Sequence, residues 1–343
     1  GTTEDGMESR ISKAYRGEPR DSIDTVFIGN SDIYRAISPV DLFHQTGITS
    51  AIAGRPNKQL SEVPGDIRDI LRYQNPKTIV LETDCMFSGT NPGFKKGISP
   101  LEAEAAKVDV AGQAPSKATD ADVAAQAPSK ATDTAHQNIF AKCKALLQEG
   151  DSAFLAALNY KFPLVKYHDN WKHLKLTTFL QPRGKYHFSN KGMAYANTVK
   201  AYPFGNEYMQ LSGGKHAMLS EEKLDQFQKI YDLCDRNGIR LVLLTVPSAN
   251  TWNKGKSDTV KQLAKKYDLT YYDYNRQLPA GFDWATDSKD GGNHLNYAGA
   301  SAVTKDLAKK LTDDLTMSPT SLTKEQKQQW RKDYEHFHKS IVK

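Results

Sequence analysis

Asp24-Thr25-Val26-Phe27-Ile28-Gly29-Asn30-Ser31-Asp32-Ile33-Tyr34-Arg35 is the stretch on which the fold turns. Residues 25–28 form a short apolar run rich in β-branched side chains, the pattern of a strand buried on both faces. Gly29-Asn30-Ser31-Asp32 breaks it abruptly. Glycine supplies a tight turn, and Ser31 stands where a parallel strand hands over to the next element. In open α/β sheets, ligands bind beyond the carboxyl ends of the strands. Taken alone, a Gly/Asn/Ser turn at a strand end is ordinary turn chemistry. Its counterpart lies near the other end of the chain, in Asp290-Gly291-Gly292-Asn293-His294-Leu295-Asn296-Tyr297-Ala298-Gly299. Here a histidine sits in a Gly-rich turn just before an amphipathic helix, with acids a few residues upstream. A serine after the first strand and an Asp/His pair before the last helix can form a set of nucleophile, base and orienter.

Outward from the first strand the pattern alternates. Residues 39–44 predict a short helix, stopped by Thr46-Gly47, and residues 48–53 a second strand leading into Gly54-Arg55-Pro56-Asn57. Leu60, Val63, Ile67, Ile70 and Leu71 have helical spacing. Residues 78–81 read as a third strand, running into Glu82-Thr83-Asp84. Much later, residues 220–236 predict a helix with Ser220 as N-cap, ended by Asn237-Gly238. A fourth strand follows at 239–246, a helix at 259–267 with Asp258 as its N-cap, and a fifth strand at 270–272. Asn296 caps the final helix of the alternation, and a charged, helical tail starts near Thr323. This alternation implies a doubly wound α/β/α domain around a parallel sheet. With five strands the natural order is the flavodoxin-like 2-1-3-4-5, whose switch point lies between strands 1 and 3. Ser31 and Asp84 would face that crevice.

Residues 88–218 interrupt the alternation as a large insertion after strand 3. Within 108–134 the segment 110–120 recurs almost unchanged as 123–133, both copies rich in Ala, Pro, Ser and Lys. Such a composition buries little apolar surface, so a flexible low-complexity segment is expected. Helices are expected near 135–148 and 152–158, and Tyr167-His168-Asp169-Asn170-Trp171 is dense in functional groups. Residues 1–23, polar and irregular, read as a stalk or linker. The rest, 24–343, reads as one domain carrying the insertion.

The 343 residues, 38% hydrophobic and 25% charged, have the balance of a soluble globular protein. A net charge of +6 without a dense Lys/Arg block argues against nucleic acid as a partner. The three cysteines, Cys85, Cys143 and Cys234, include no C-x-x-C and suggest neither a disulfide framework nor a zinc site. No metal or cofactor is expected. No apolar run reaches the roughly 20 residues of a membrane span. The chain starts at Gly1 without an initiator Met, so a removed N-terminal anchor or signal is compatible with it.

The Gly29-Asn30-Ser31-Asp32 block and the His294-Leu295-Asn296 block followed by Gly299 resemble those of the SGNH (GDSL-type) hydrolases. The similarity is to their extracytoplasmic branch, which includes DltD-like and AlgJ-like proteins, and it covers 24–87 and 219–315. The resemblance implies the same five-stranded fold, with Ser31 as nucleophile and His294 as base. The family's acid lies three residues before the histidine, where this chain has Gly291. Asp290 is the preferred orienter, Asp287 its rival, and a Ser/His dyad the third option. The oxyanion would be held by the Ser31 N–H and by the turn from Gly54 to Asn57, which stands at the family's Gly-x-x-Gly. The family's third donor, an asparagine after strand 3, is replaced by Thr83-Asp84. A carboxylate there would repel an oxyanion, so Asp84 points away, is protonated, or binds substrate hydroxyls. His168 and Trp171 would belong to a lid or acceptor site.

By the same resemblance, the expected activity is that of an extracytoplasmic serine acyltransferase or esterase. Its substrates would be small acyl groups, O-acetyl or similar, on a cell-envelope polysaccharide or teichoic-acid-type polymer. The partner would be a membrane-bound O-acyltransferase, and the location the cell surface, through an N-terminal transmembrane anchor. The alternative is a catalytically inactive glycan-binding accessory protein on the same scaffold.

Overall fold

The computed structural model describes residues 11–88, 99–102 and 187–341. The repeats at 110–120 and 123–133, the helices expected at 135–148 and 152–158, Cys143, and the segment 167–171 with His168 and Trp171 lie outside the described residues.

Five strands form one sheet: β1 (Thr25–Gly29), β2 (Ser50–Gly54), β3 (Thr78–Glu82), β4 (Arg240–Thr245) and β5 (Thr270–Asp273). Every pairing is parallel and the order is β2-β1-β3-β4-β5. The first three strands are buried along their whole length. That is why their sequences are continuous apolar runs and do not alternate. At the carboxyl end of the sheet, Gly29 is in register with Gly54. A Cβ on Gly29 would lie 2.5 Å from the Glu82 Cβ, so β1 can approach the end of β3 only with glycine there.

Among the described residues, seven α-helices accompany the sheet: α1 (Ser31–Ala36), α2 (Pro39–Thr46), α3 (Val63–Ile70), α4 (Glu221–Arg236), α5 (Lys254–Lys266), α6 (Tyr297–Asp313) and α7 (Lys324–Ile341). Helix α6 packs on α1 and α2, and α7 packs on α2. Helix α3 packs on α4. Right-handed crossovers in this strand order put the first connection on one face of the sheet and the next ones on the other. The result is the expected three-layer α/β/α arrangement. No described helix is long and apolar enough to cross a membrane.

One expectation is corrected. The helix expected at 259–267 begins earlier, at Lys254. Its N-cap is Asn253, whose side chain accepts from the Lys256 N–H at 2.9 Å, and not Asp258. Asp258 instead pairs with Lys254 and Arg276. Within 1–23, a 3-10 helix at Ile11–Gly17 packs on β2 and buries Ala14 and Tyr15. Within 88–218, Met193, Ala194, Tyr202, Tyr208 and Leu211 are buried in the core. Neither segment has a regular period in the sequence, and each is held by distant partners.

Candidate active site

Ser31 is the first residue of α1, directly beyond the end of β1. Asn30 caps that helix, its side-chain oxygen accepting from the Asp32 N–H at 2.9 Å. A helix N-terminus leaves backbone N–H groups without intrahelical partners. Position 31 therefore combines a hydroxyl with local positive potential.

The opposing loop brings up His294. His294 Nε2 lies 2.8 Å from Ser31 Oγ, and His294 Nδ1 lies 2.6 Å from Asp290 Oδ2. The imidazole is mostly covered and the Asp290 carboxylate partly so. Asp290 has two tasks. Its Oδ1 accepts from the backbone N–H of His294 at 2.8 Å and of Asn293 at 3.2 Å, and its Oδ2 faces the ring. Burial pushes the Asp290 carboxyl upward. The hydrogen bond and charge of His294 outweigh it and hold the group below the usual carboxylate range. An ionised carboxylate only accepts. The ring proton therefore sits on Nδ1, and Nε2 is left to accept the Ser31 hydroxyl proton.

Asp290 lies four positions before His294, one more than the family spacing, and the backbone absorbs the extra residue. Gly291 and Gly292 take left-handed conformations, with φ of 84° and 99°. These curl the chain so that a carboxylate one turn back meets the imidazole. Ser288 Oγ accepts from both glycine N–H groups, at 3.0 and 2.7 Å. Asn250 holds the loop from the β4 side, donating from Nδ2 to Gly291 O at 3.0 Å and from its backbone N–H to Gly292 O at 3.1 Å. Ser248 donates to Asn293 O at 3.0 Å. From the other side, Lys200 pairs with Ser288 and Gly291 through its backbone.

Sequence reasoning missed these supports. The Pro247-Ser248-Ala249-Asn250 turn after a buried strand carried the one readable signal, since strand ends feed the site.

Asp287 is placed differently from Asp290. Its carboxylate accepts from the Asp283 N–H at 3.0 Å and from the Thr286 hydroxyl at 2.9 Å, and it is buried in its own turn. Of the two acids weighed on the sequence, Asp290 is the one hydrogen-bonded to His294. Gly54 ends β2 beside Gly29, and the Arg55 N–H is bonded to Gly29 O at 3.4 Å. Asn57 tops the following turn, exposed and left-handed with φ of 51°.

Asp84 does not stand open to the crevice. It is 4% exposed, and its Oδ2 accepts from Asn30 Nδ2 at 2.9 Å. Its carboxyl group is thus turned beneath the turn at 29–32, and Lys256 Nζ stands 3.6 Å from its other oxygen. Burial, then the charge of Asp84, raises the Asp32 carboxyl to about 7, and burial also raises Glu82 well above the carboxylate range. Among the described residues, no group of three or more His, Cys, Asp or Glu side chains is arranged to hold a metal ion.

No protein-family profile matches the chain, and no curated protein matches its sequence. Two solved structures are loosely similar. One, described provisionally as an acylhydrolase, is from Bacteroides fragilis, with 10% identity and a TM-score of 0.38 over 89% of this chain and 96% of that one. The other is a GDSL-like lipase from Bacteroides thetaiotaomicron, with 9% identity and a TM-score of 0.35 over 88% of this chain and 99% of that one.

Proposed function

We propose that this chain is an SGNH-type serine esterase or acyltransferase with Ser31 as nucleophile, His294 as base and Asp290 as orienter. The observation that carries the proposal is the continuous hydrogen-bonded line from Ser31 Oγ through both ring nitrogens of His294 to Asp290. It lies at the carboxyl ends of a parallel sheet, where such folds place their ligands. In the first half-reaction, Ser31 Oγ attacks an acyl carbonyl while its proton passes to His294 Nε2. The imidazolium is stabilised by the Asp290 carboxylate. The oxyanion would be held by the Ser31 N–H at the start of α1, with an amide of the turn from Gly54 to Asn57 as the proposed second donor. Collapse of the intermediate expels the alcohol, which takes the proton from His294 and leaves an acyl ester on Ser31. Water or an acceptor hydroxyl then reverses these steps, giving hydrolysis or transfer.

The substrate class rests on the sequence resemblance alone. It is a small acyl ester of a cell-envelope polysaccharide or teichoic-acid-type polymer, handled outside the cytoplasm beside a membrane-bound O-acyltransferase. His168 and Trp171 are proposed to contact the polymer. A fluorophosphonate probe tests the chemistry without knowledge of the substrate. Labelling of the wild type and none of Ser31→Ala is the expected result. An unlabelled wild type would favour the non-catalytic accessory role.

A further inference from the structure

Beneath Ser31 lies a buried array of acids with a lysine reaching into it. Asp32 and Asp84 are each 4% exposed, and Glu82 and Lys256 are fully buried. Lys256 reaches in from α5. Its Nζ donates to Thr251 O at 2.6 Å, stands 3.6 Å from Asp84 Oδ1, and lies 5.2 Å from the centre of the Phe87 ring. Two further lysines line this side. Lys58 pairs with Asp66, and Lys223, which also feels the charge of Asp84, donates to Met86 O at 2.5 Å. Burial favours protons on Asp32 and Glu82, whose carboxyls are both raised.

We propose that Lys256 is a positioning residue for Ser31, because its ammonium, 3.6 Å from Asp84 Oδ1, anchors the acidic side chain that fixes which way the Asn30 amide faces. The inference rests on the reading of Ser31 as nucleophile. A carboxylate only accepts, so Asn30 must turn Nδ2 toward Asp84, at 2.9 Å. Its oxygen is then left for the Asp32 N–H, also at 2.9 Å, which sets the first turn of α1. A reversed amide would place oxygen against the carboxylate and NH2 against the Asp32 N–H. The Lys256 ammonium holds the acidic side chain that makes this choice, and the bond it supports is charge-assisted. Burial also pushes the Lys256 ammonium below its usual range, and the Asp84 charge opposes that.

The test compares fluorophosphonate labelling at pH 7 in the wild type, Lys256→Met, Asp84→Asn and Asp84→Asn/Lys256→Met, with a melting curve for each. The Lys256→Met variant is expected to label about tenfold more slowly, the size of one charged hydrogen bond. The loss should fall in the inactivation rate and not in probe affinity. Because Lys256 acts through Asp84, its removal from Asp84→Asn should slow labelling no further. If Lys256→Met does not fold, Lys256→Gln carries the same expectations. A wild type that does not label overturns the nucleophile reading and this inference with it. A labelled wild type overturns the inference alone if the lysine variant shows no gap, or if the two losses add in the double variant.

Discussion

Lys191 and Lys256 are both wholly buried, yet they sit in opposite kinds of surroundings. Lys191 donates to Glu18 at 2.7 Å and to Asp333 at 2.6 Å, and its ammonium lies 4.4 Å from the centre of the Trp330 ring. His187 adds a second cation, with Nε2 2.7 Å from Asp333. That array is near charge balance and fully hydrogen-bonded. It ties the N-terminal segment, the turn at 187–193 and α7 together. Lys256 instead stands 3.6 Å from Asp84, with Asp32 and Glu82 close by. The first array joins distant segments of the fold, whereas the second lies under the turn that carries Ser31 and includes an Asp32 carboxyl raised to about 7. The molecule thus spends one buried lysine on cohesion and, in our proposal, the other on the chemistry.

That division can be broken most severely at the site itself. Ser31→Ala and His294→Ala should each lower turnover of an acyl ester by about 10⁴-fold or more, since members of one nucleophilic unit fail together. Both should melt close to the wild type. A variant that keeps a tenth of the activity would remove its residue from the site.

The next largest effect separates the two acids of the catalytic loop. Asp290→Asn should cost about 10²- to 10⁴-fold in turnover, because an amide can favour the wrong imidazole tautomer. Asp287→Asn should cost no more than about tenfold, because that carboxylate serves only the turn around Asp283. The reverse ranking, measured with the same ester, would make Asp287 the orienter.

On the cohesive side, Lys191→Met leaves Glu18 and Asp333 without their ammonium. Breaking a buried pair in this way costs about 3–5 kcal/mol. A lowered melting temperature with an unchanged fluorophosphonate rate for the folded fraction is the expected result. A tenfold slower rate at an unchanged melting temperature would show that the two lysines do not divide the work in this way.

The smallest effect concerns His187. Its hydrogen bonds to Asp333 and then Glu18 raise it from 6.5 to about 9. A group raised on folding adds stability that is complete below its unfolded pKa and lost as pH rises through the folded one. The melting temperature should therefore decline between about pH 6.5 and 9, and the decline should be shallower in His187→Gln. The imidazole is about one-third exposed, so solvent weakens the effect. Parallel pH profiles for the two proteins would show that His187 adds nothing.

The fold and the members of the candidate triad were legible because each rests on a local pattern. Continuous β-branched runs marked β1, β3 and β4, and Ser220 and Asn296 announced their helices as caps, accepting from Lys223 and Gly299. The choice of Asp290 followed from Gly291-Gly292, since only that pair offers the backbone freedom for a four-residue reach.

What the amino-acid order determined by itself was therefore short in range: which segments are strands or helices, which residues cap them, and where a serine, a histidine and an acid occupy turns. The tertiary structure decided which distant groups share a cavity. It alone brought Lys256 beside Asp84 under Asn30, drew Met193, Tyr202, Tyr208 and Leu211 into the core, and set Tyr202 so close to Gly292 that a Cβ there would lie 2.6 Å from the ring. The physical reason is that periodicity and capping act over a few residues. Burial and the pairing of charges depend on every element packed around a site.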